Sequence, residues 1–148
     1  MEPIDSFVRF LQSSISPIVL ISGVGLLLLS LSNRLGRTTD RSRDIVKELR
    51  EIEDEESKNR KIVQLNILYR RSKILRFSIV SIAFSILTSS LIIPVLLVMN
   101  LLVVDLTTFG IFLFLLSILG MITSAILLFV DVTLSLKALQ IGVNEYLD

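Results

Sequence analysis

Three runs without a single Asp, Glu, Lys or Arg, each long enough to cross a bilayer, occupy most of this chain: Phe10–Asn33, Phe77–Val104 and Leu106–Val130. They hold 24, 28 and 25 residues, and a spanning helix needs about 20 to cross about 30 Å of hydrocarbon. The expected fold is an all-α membrane protein with three transmembrane helices. The composition agrees: 52% of the 148 residues are hydrophobic and the mean hydropathy is +0.76. A soluble domain has roughly 45–50% apolar residues and lacks such runs.

Charge along the chain sets the expected topology. Of the 15 Lys and Arg, 13 lie between Asn33 and Arg76; the others are Arg9 and Lys137. The connection between the second and third runs has no basic residue and one acid, Asp105. Basic residues beside span ends stay on the cytoplasmic side. The expectation is a multi-pass protein of the inner (plasma) membrane, N-terminus outside and C-terminus in the cytoplasm. A cleaved signal peptide fits the first run poorly, because a basic n-region is missing and Arg34 and Arg37 follow it in place of a small-residue cleavage site.

The chain then divides into an outer interfacial amphipathic segment at 1–14, spans at 15–33, 77–99 and 109–136, a basic cytoplasmic segment at 34–76, an outer loop at 100–108 and a cytoplasmic tail at 137–148. Ile4, Phe7, Val8, Phe10, Leu11 and Ile15 recur at helical spacing. This fits a helix lying in the interface and turning at Pro17, and fits equally an upward extension of the first span. In the basic segment Ile45, Leu49 and Ile52 form one apolar stripe and Ile62, Leu65 and Tyr69 another. Two helices packed as a cytoplasmic antiparallel hairpin are expected, with a turn at Ser57-Lys58-Asn59 for want of any Gly or Pro nearby. Gly36, Thr38 and Thr39 are candidate helix breakers, and Pro94 predicts a kink or early stop in the second span.

Polar residues inside the spans carry the functional candidates. Ser78, Ser81, Ser85, Thr88 and Ser89 share one face of the second span, and Ser22 and Gly25 mark a small-residue face on the first. Such faces serve close helix packing, or line a hydrated pathway in an oligomer. Asp131 is the one acid inside an apolar helix, at the depth of Arg34 and Arg76, and a structural ion pair among the three is expected. Arg34, Arg37, Arg41, Arg43 and Arg70, Arg71, Lys73, Arg76 form two clusters suited to anionic lipid head groups. Eight acids share that segment, which argues against nucleic acid. The chain has no Cys and no His, which excludes disulfides, thiol and imidazole catalysis and the usual zinc or haem sites. No cofactor or metal site is expected.

The stretch Ile15-Ser16-Pro17-Ile18-Val19-Leu20-Ile21-Ser22-Gly23-Val24-Gly25, then Asn33-Arg34-Leu35-Gly36-Arg37, resembles a family of small bacterial membrane proteins of unknown function. Leu68-Tyr69-Arg70-Arg71-Ser72-Lys73-Ile74-Leu75-Arg76 looks like its second recurrent element. The resemblance implies the three-span layout and no particular chemistry. Two functions remain in view. One is a non-enzymatic homo-oligomer with a hydroxyl-lined ion or solute pathway; the other is an anchored adaptor that binds a cytoplasmic protein through its hairpin. An enzyme would need a second acid or a nucleophile–base pair beside Asp131.

Overall fold

Charged residues delimit three long helices: α1 (Glu2–Glu51), α2 (Glu55–Leu102) and α3 (Thr107–Leu147). The computed structural model describes residues 2–147, with side chains over 8–136; no strand occurs among them. Each helix carries an apolar window long enough to cross a membrane, with mean hydropathy 2.2, 2.4 and 2.6 in chain order. The chain is therefore consistent with a multi-pass membrane protein.

Local chemistry explains where the helices start and stop. Asp54 is the N-cap of α2: its Oδ2 accepts the Ser57 N–H at 2.9 Å, and its carbonyl accepts the Lys58 N–H at 3.0 Å. Glu55 and Glu56 follow in the first turn, and Arg50 lies in the last turn of α1. Each charge opposes the helix dipole there. The Ser57 hydroxyl and N–H hold the Asp54 carboxyl below its usual value. The connection is thus the short stretch Ile52–Asp54, and Ser57-Lys58-Asn59 is helical, in place of the turn expected there. At α3 the Leu106 carbonyl accepts the Gly110 N–H at 2.9 Å, and Asp105, one residue earlier, accepts the Thr107 N–H at 3.0 Å. The Thr107 hydroxyl and N–H depress its pKa. The exposed Asp105 thus satisfies a first-turn amide of α3 from just outside the helix. Between α2 and α3, Val103 takes φ 54°, the left-handed conformation that ends helices and that a β-branched residue adopts at a cost.

None of the suspected breakers interrupts a helix. α1 runs through Pro17, Gly36, Thr38 and Thr39, and α2 continues past Pro94 to Leu102. Thr38 and Thr39 turn their hydroxyls onto the carbonyls of Arg34 and Leu35, both at 2.9 Å. That back-bonding lets a threonine sit inside a helix. Phe10 and Ser13 border a small cavity with Leu96 and Met99, so this part of α1 lies against the end of α2. Ile4, Phe7 and the side chains of the 137–148 tail, Lys137 included, fall outside the described side chains.

Burial follows intervals of seven. α1 buries Val24, Leu31, Thr38 and Ile45; α2 buries Ser78 and Ser85; α3 buries Ser117, Ser124 and Asp131. Seven residues make about two helical turns, so each set forms a seam along one face. In α1 the seam is mostly apolar, and in α2 and α3 it is mostly polar. The outward faces are covered with exposed Leu, Ile, Val and Phe. The chain forms two compact units, one joining residues up to Leu29 with Val80–Ser124, the other joining Ser30–Ile79 with the chain from Ala125 onward.

Candidate functional site

In the second unit one carboxylate gathers two arginines from two other helices. Asp131 of α3 has no exposed side-chain surface. Its Oδ2 accepts from Arg34 Nη1 of α1 at 2.8 Å, and its Oδ1 accepts from Arg71 Nε of α2 at 3.0 Å. Arg34 and Arg71 remain 32% and 16% exposed. A buried carboxylate is tolerable only when paired and hydrogen-bonded, and here both oxygens are engaged. Arg34 and Asp131 are thus brought together. Arg76 is not part of the cluster; it is exposed and makes no ion pair among the described residues. Arg71 takes its place, because it falls on the buried line of α2 that continues through Leu75 and Ser78, whereas Arg76 points away.

Beside this cluster lies a cavity of about 300 Å³ lined by Arg34, Arg37, Thr38, Arg71 and Ser135. Of the other basic residues, Arg41 bonds Glu48 at 3.3 Å and Arg43 lies 3.7 Å from Asp40. Arg37, Arg70 and Lys73 are exposed, without ion pairs among the described residues. Further from the apolar runs, Lys61 of α2 donates to Glu48 of α1. That bond, with the charges of Lys61 and Arg41, holds the Glu48 carboxyl below its ordinary value. A larger groove of about 580 Å³ is lined by Thr39, Ser42, Ile62, Leu65, Asn66, Tyr69 and Ser72. Ile62 and Tyr69 are 49% and 69% exposed.

In the first unit the hydroxyl face of α2 packs on α3. Ser85 Oγ donates to the Ser117 carbonyl at 2.6 Å, and Ser117 Oγ returns the bond to the Ser85 carbonyl at 3.0 Å. A Cβ at Gly120 would lie 3.0 Å from the Ser81 carbonyl oxygen and 3.1 Å from the Ser85 Cβ. The absence of a side chain there is what lets the two backbones approach. Thr88 bonds back to Phe84 at 2.8 Å, and Ser89 Oγ is buried without a hydrogen-bond partner. Ser78, Ser85, Thr88 and Ser89 are all buried and Ser81 half-buried. Within a single chain this face is occupied by helix packing. Ser117 and Gly120, on the small and hydroxyl-bearing face evident in the sequence of the third span, complete the contact. The α1 candidates differ: Ser22 is exposed and bonds back to Ile18 at 3.1 Å, and Gly25 has open space about it.

Among the described residues no group of His, Cys, Asp and Glu is arranged to hold a metal ion. Neither a curated protein nor a solved structure matches the chain. A family model does match residues 14–141, a stretch that contains the buried triad, the arginine-lined cavity, the second and third apolar runs and all but the first four residues of the first. The chain belongs to that family, described as protein of unknown function (DUF2721).

Proposed function

We propose that this is a non-enzymatic membrane adaptor of the plasma membrane, N-terminus outside, whose 34–76 segment is a cytoplasmic antiparallel helical hairpin that receives an amphipathic helix of a partner protein. The observation that carries the reading is the open groove at Ile62, Leu65 and Tyr69. Exposed apolar side chains beside Thr39, Ser42, Asn66 and Ser72 suit a helix that buries one apolar face and keeps polar edges. The hairpin itself is supported by the short connection at Ile52–Asp54, the Lys61–Glu48 bond and the buried Ile45. The positive-inside asymmetry supports its cytoplasmic side.

Photocrosslinking from position 62 or 69 in intact cells tests this. A discrete crosslink to a second protein, lost in Leu65→Glu and retained in Ser22→Leu, is the expected result. Crosslinks to lipid or to another copy of the chain alone would contradict it.

The second reading is a homo-oligomer that conducts an ion or solute. One observation favours it: the small-residue face of α1, at Ser22 and Gly25, is open. Ser85 is committed to α3 and Thr88 to its own helix, and the α2 face is largely buried within the chain, so this reading draws mainly on α1. Conductance in planar bilayers altered by Ser22→Leu, and untouched by Ser85→Ala, would favour it over the adaptor.

A further inference from the structure

We infer that the cavity beside Asp131 is a binding site for a phosphate group, with Arg37 as its uncommitted guanidinium. Three arginines, Arg34, Arg37 and Arg71, line a space of about 300 Å³ together with Thr38 and Ser135. That volume lies at the lower end of the range for small-molecule sites. One carboxylate, Asp131, serves two of the guanidinium groups, so the cluster keeps a positive excess even before Arg37 is counted. Arg37 follows Arg34 by three residues on α1 and has no acidic partner among the described residues. Each guanidinium carries five N–H donors in a planar fork. Asp131 accepts one hydrogen bond from each of its two partners, from Arg34 Nη1 and from Arg71 Nε.

The role of Asp131 follows from this arrangement. Its two oxygens hold Arg34 and Arg71 at fixed positions from a fully buried foundation, which removes the ordering cost that flexible surface arginines bear when they bind an anion. Preorganised guanidinium forks favour the tetrahedral oxygens of phosphate over a diffuse counter-ion. The Thr38 hydroxyl is spent on the Arg34 carbonyl, whereas Ser135 offers a further donor at the rim.

Position narrows the source of the phosphate. Arg34 directly follows the uncharged run that ends at Asn33, and Asp131 directly follows the run that ends at Val130. In a bilayer these are head-group depths, where a phospholipid presents its phosphate to basic pockets between helices. A soluble phosphate has the same chemistry, so the experiment separates the two. The inference stands apart from the adaptor reading, since it requires no protein partner.

The test is native mass spectrometry of the full chain in a non-ionic detergent with an equimolar mixture of phosphatidylglycerol and phosphatidylcholine. The expected result is preferential retention of phosphatidylglycerol, reduced roughly fivefold in Arg37→Gln, the scale of one basic residue's attraction to an anionic surface. Arg43→Gln, an exposed arginine outside the cavity, should retain lipid as the native chain does. In a second arm, inorganic phosphate without lipid should raise the melting temperature of the native chain and not that of Arg37→Gln if the source is soluble. Either arm responding through Arg37 supports a phosphate site and names its source. Equal lipid retention by the two variants, together with no phosphate effect on melting, would overturn it.

Discussion

Asp131 accepts from arginines of two other helices, so removing its charge leaves two guanidinium groups with one neutral amide oxygen and an amide NH2 turned against one of them. Breaking a buried pair by losing one partner typically costs about 3–5 kcal/mol. Asp131→Asn is therefore expected to lose about that much stability in denaturant titrations followed by the helical circular-dichroism signal. Arg71→Gln should also destabilise, whereas Arg76→Gln should stay within about 0.5 kcal/mol of the native chain, as exposed substitutions do. Equal effects at 71 and 76 would contradict the assignment. The acid itself was legible from its position in an apolar run, and so was Arg34. Arg71 was not, because depth alone does not distinguish it from Arg76; the facing side of the helix does.

At the scale of the helices, the polar faces were legible singly, and what was not read is their pairing and the extension of the α2 face to Arg71. Stepping by seven, α2 carries Arg71, Ser78 and Ser85, and α3 carries Ser117, Ser124 and Asp131. Taken in opposite directions these ladders match Ser85 with Ser117 and Arg71 with Asp131, the two contacts found within their separate units. The turn was misplaced for a similar reason. Gly and Pro were sought as punctuation, while Asp54 followed by Glu55 and Glu56 already had the form of a helix N-terminus.

Two predictions belong to this scale. Gly120→Ala should destabilise by about 1–3 kcal/mol, as overpacking does, because its Cβ would meet the Ser81 carbonyl and Ser85 at 3.0 and 3.1 Å. Gly25→Ala, with nothing within 4 Å, should be neutral or slightly stabilising. Thermal melts of the two variants in detergent decide it, and equal losses would refute the close α2–α3 approach. The Lys61–Glu48 bond should make the basic segment acid-sensitive. Glu48 has a folded-state pKa below its ordinary 4.5, so its contribution is complete above that value and is lost as pH falls through the depressed one. Hydrogen exchange around Leu49 and Lys61 should accelerate over that interval in the native chain. Glu48→Gln should remove part of the pH dependence, the rest belonging to Asp54; an unchanged profile would dismiss the role given to Glu48.

For the whole molecule, the three membrane-length helices were legible because hydrocarbon thickness imposes a length that few soluble sequences imitate. The continuity of α1 from Glu2 to Glu51 was less so. Pro17 and Gly36 read as interruptions, yet α1 is continuous through both. The hydroxyl face of α2 was legible as a face and not as a function. Only the position of Ser117 and Gly120 opposite it distinguishes packing from a pathway.

The most direct test uses the natural absence of cysteine. Single-cysteine variants Glu53→Cys, at the α1–α2 connection, and Val103→Cys, 90% exposed in the native chain at the other end of α2, are treated with a membrane-impermeant maleimide in intact and in permeabilised cells. The account predicts labelling at 103 in intact cells and at 53 only after permeabilisation. Labelling of both positions from the same side, or of 53 in intact cells, would contradict it.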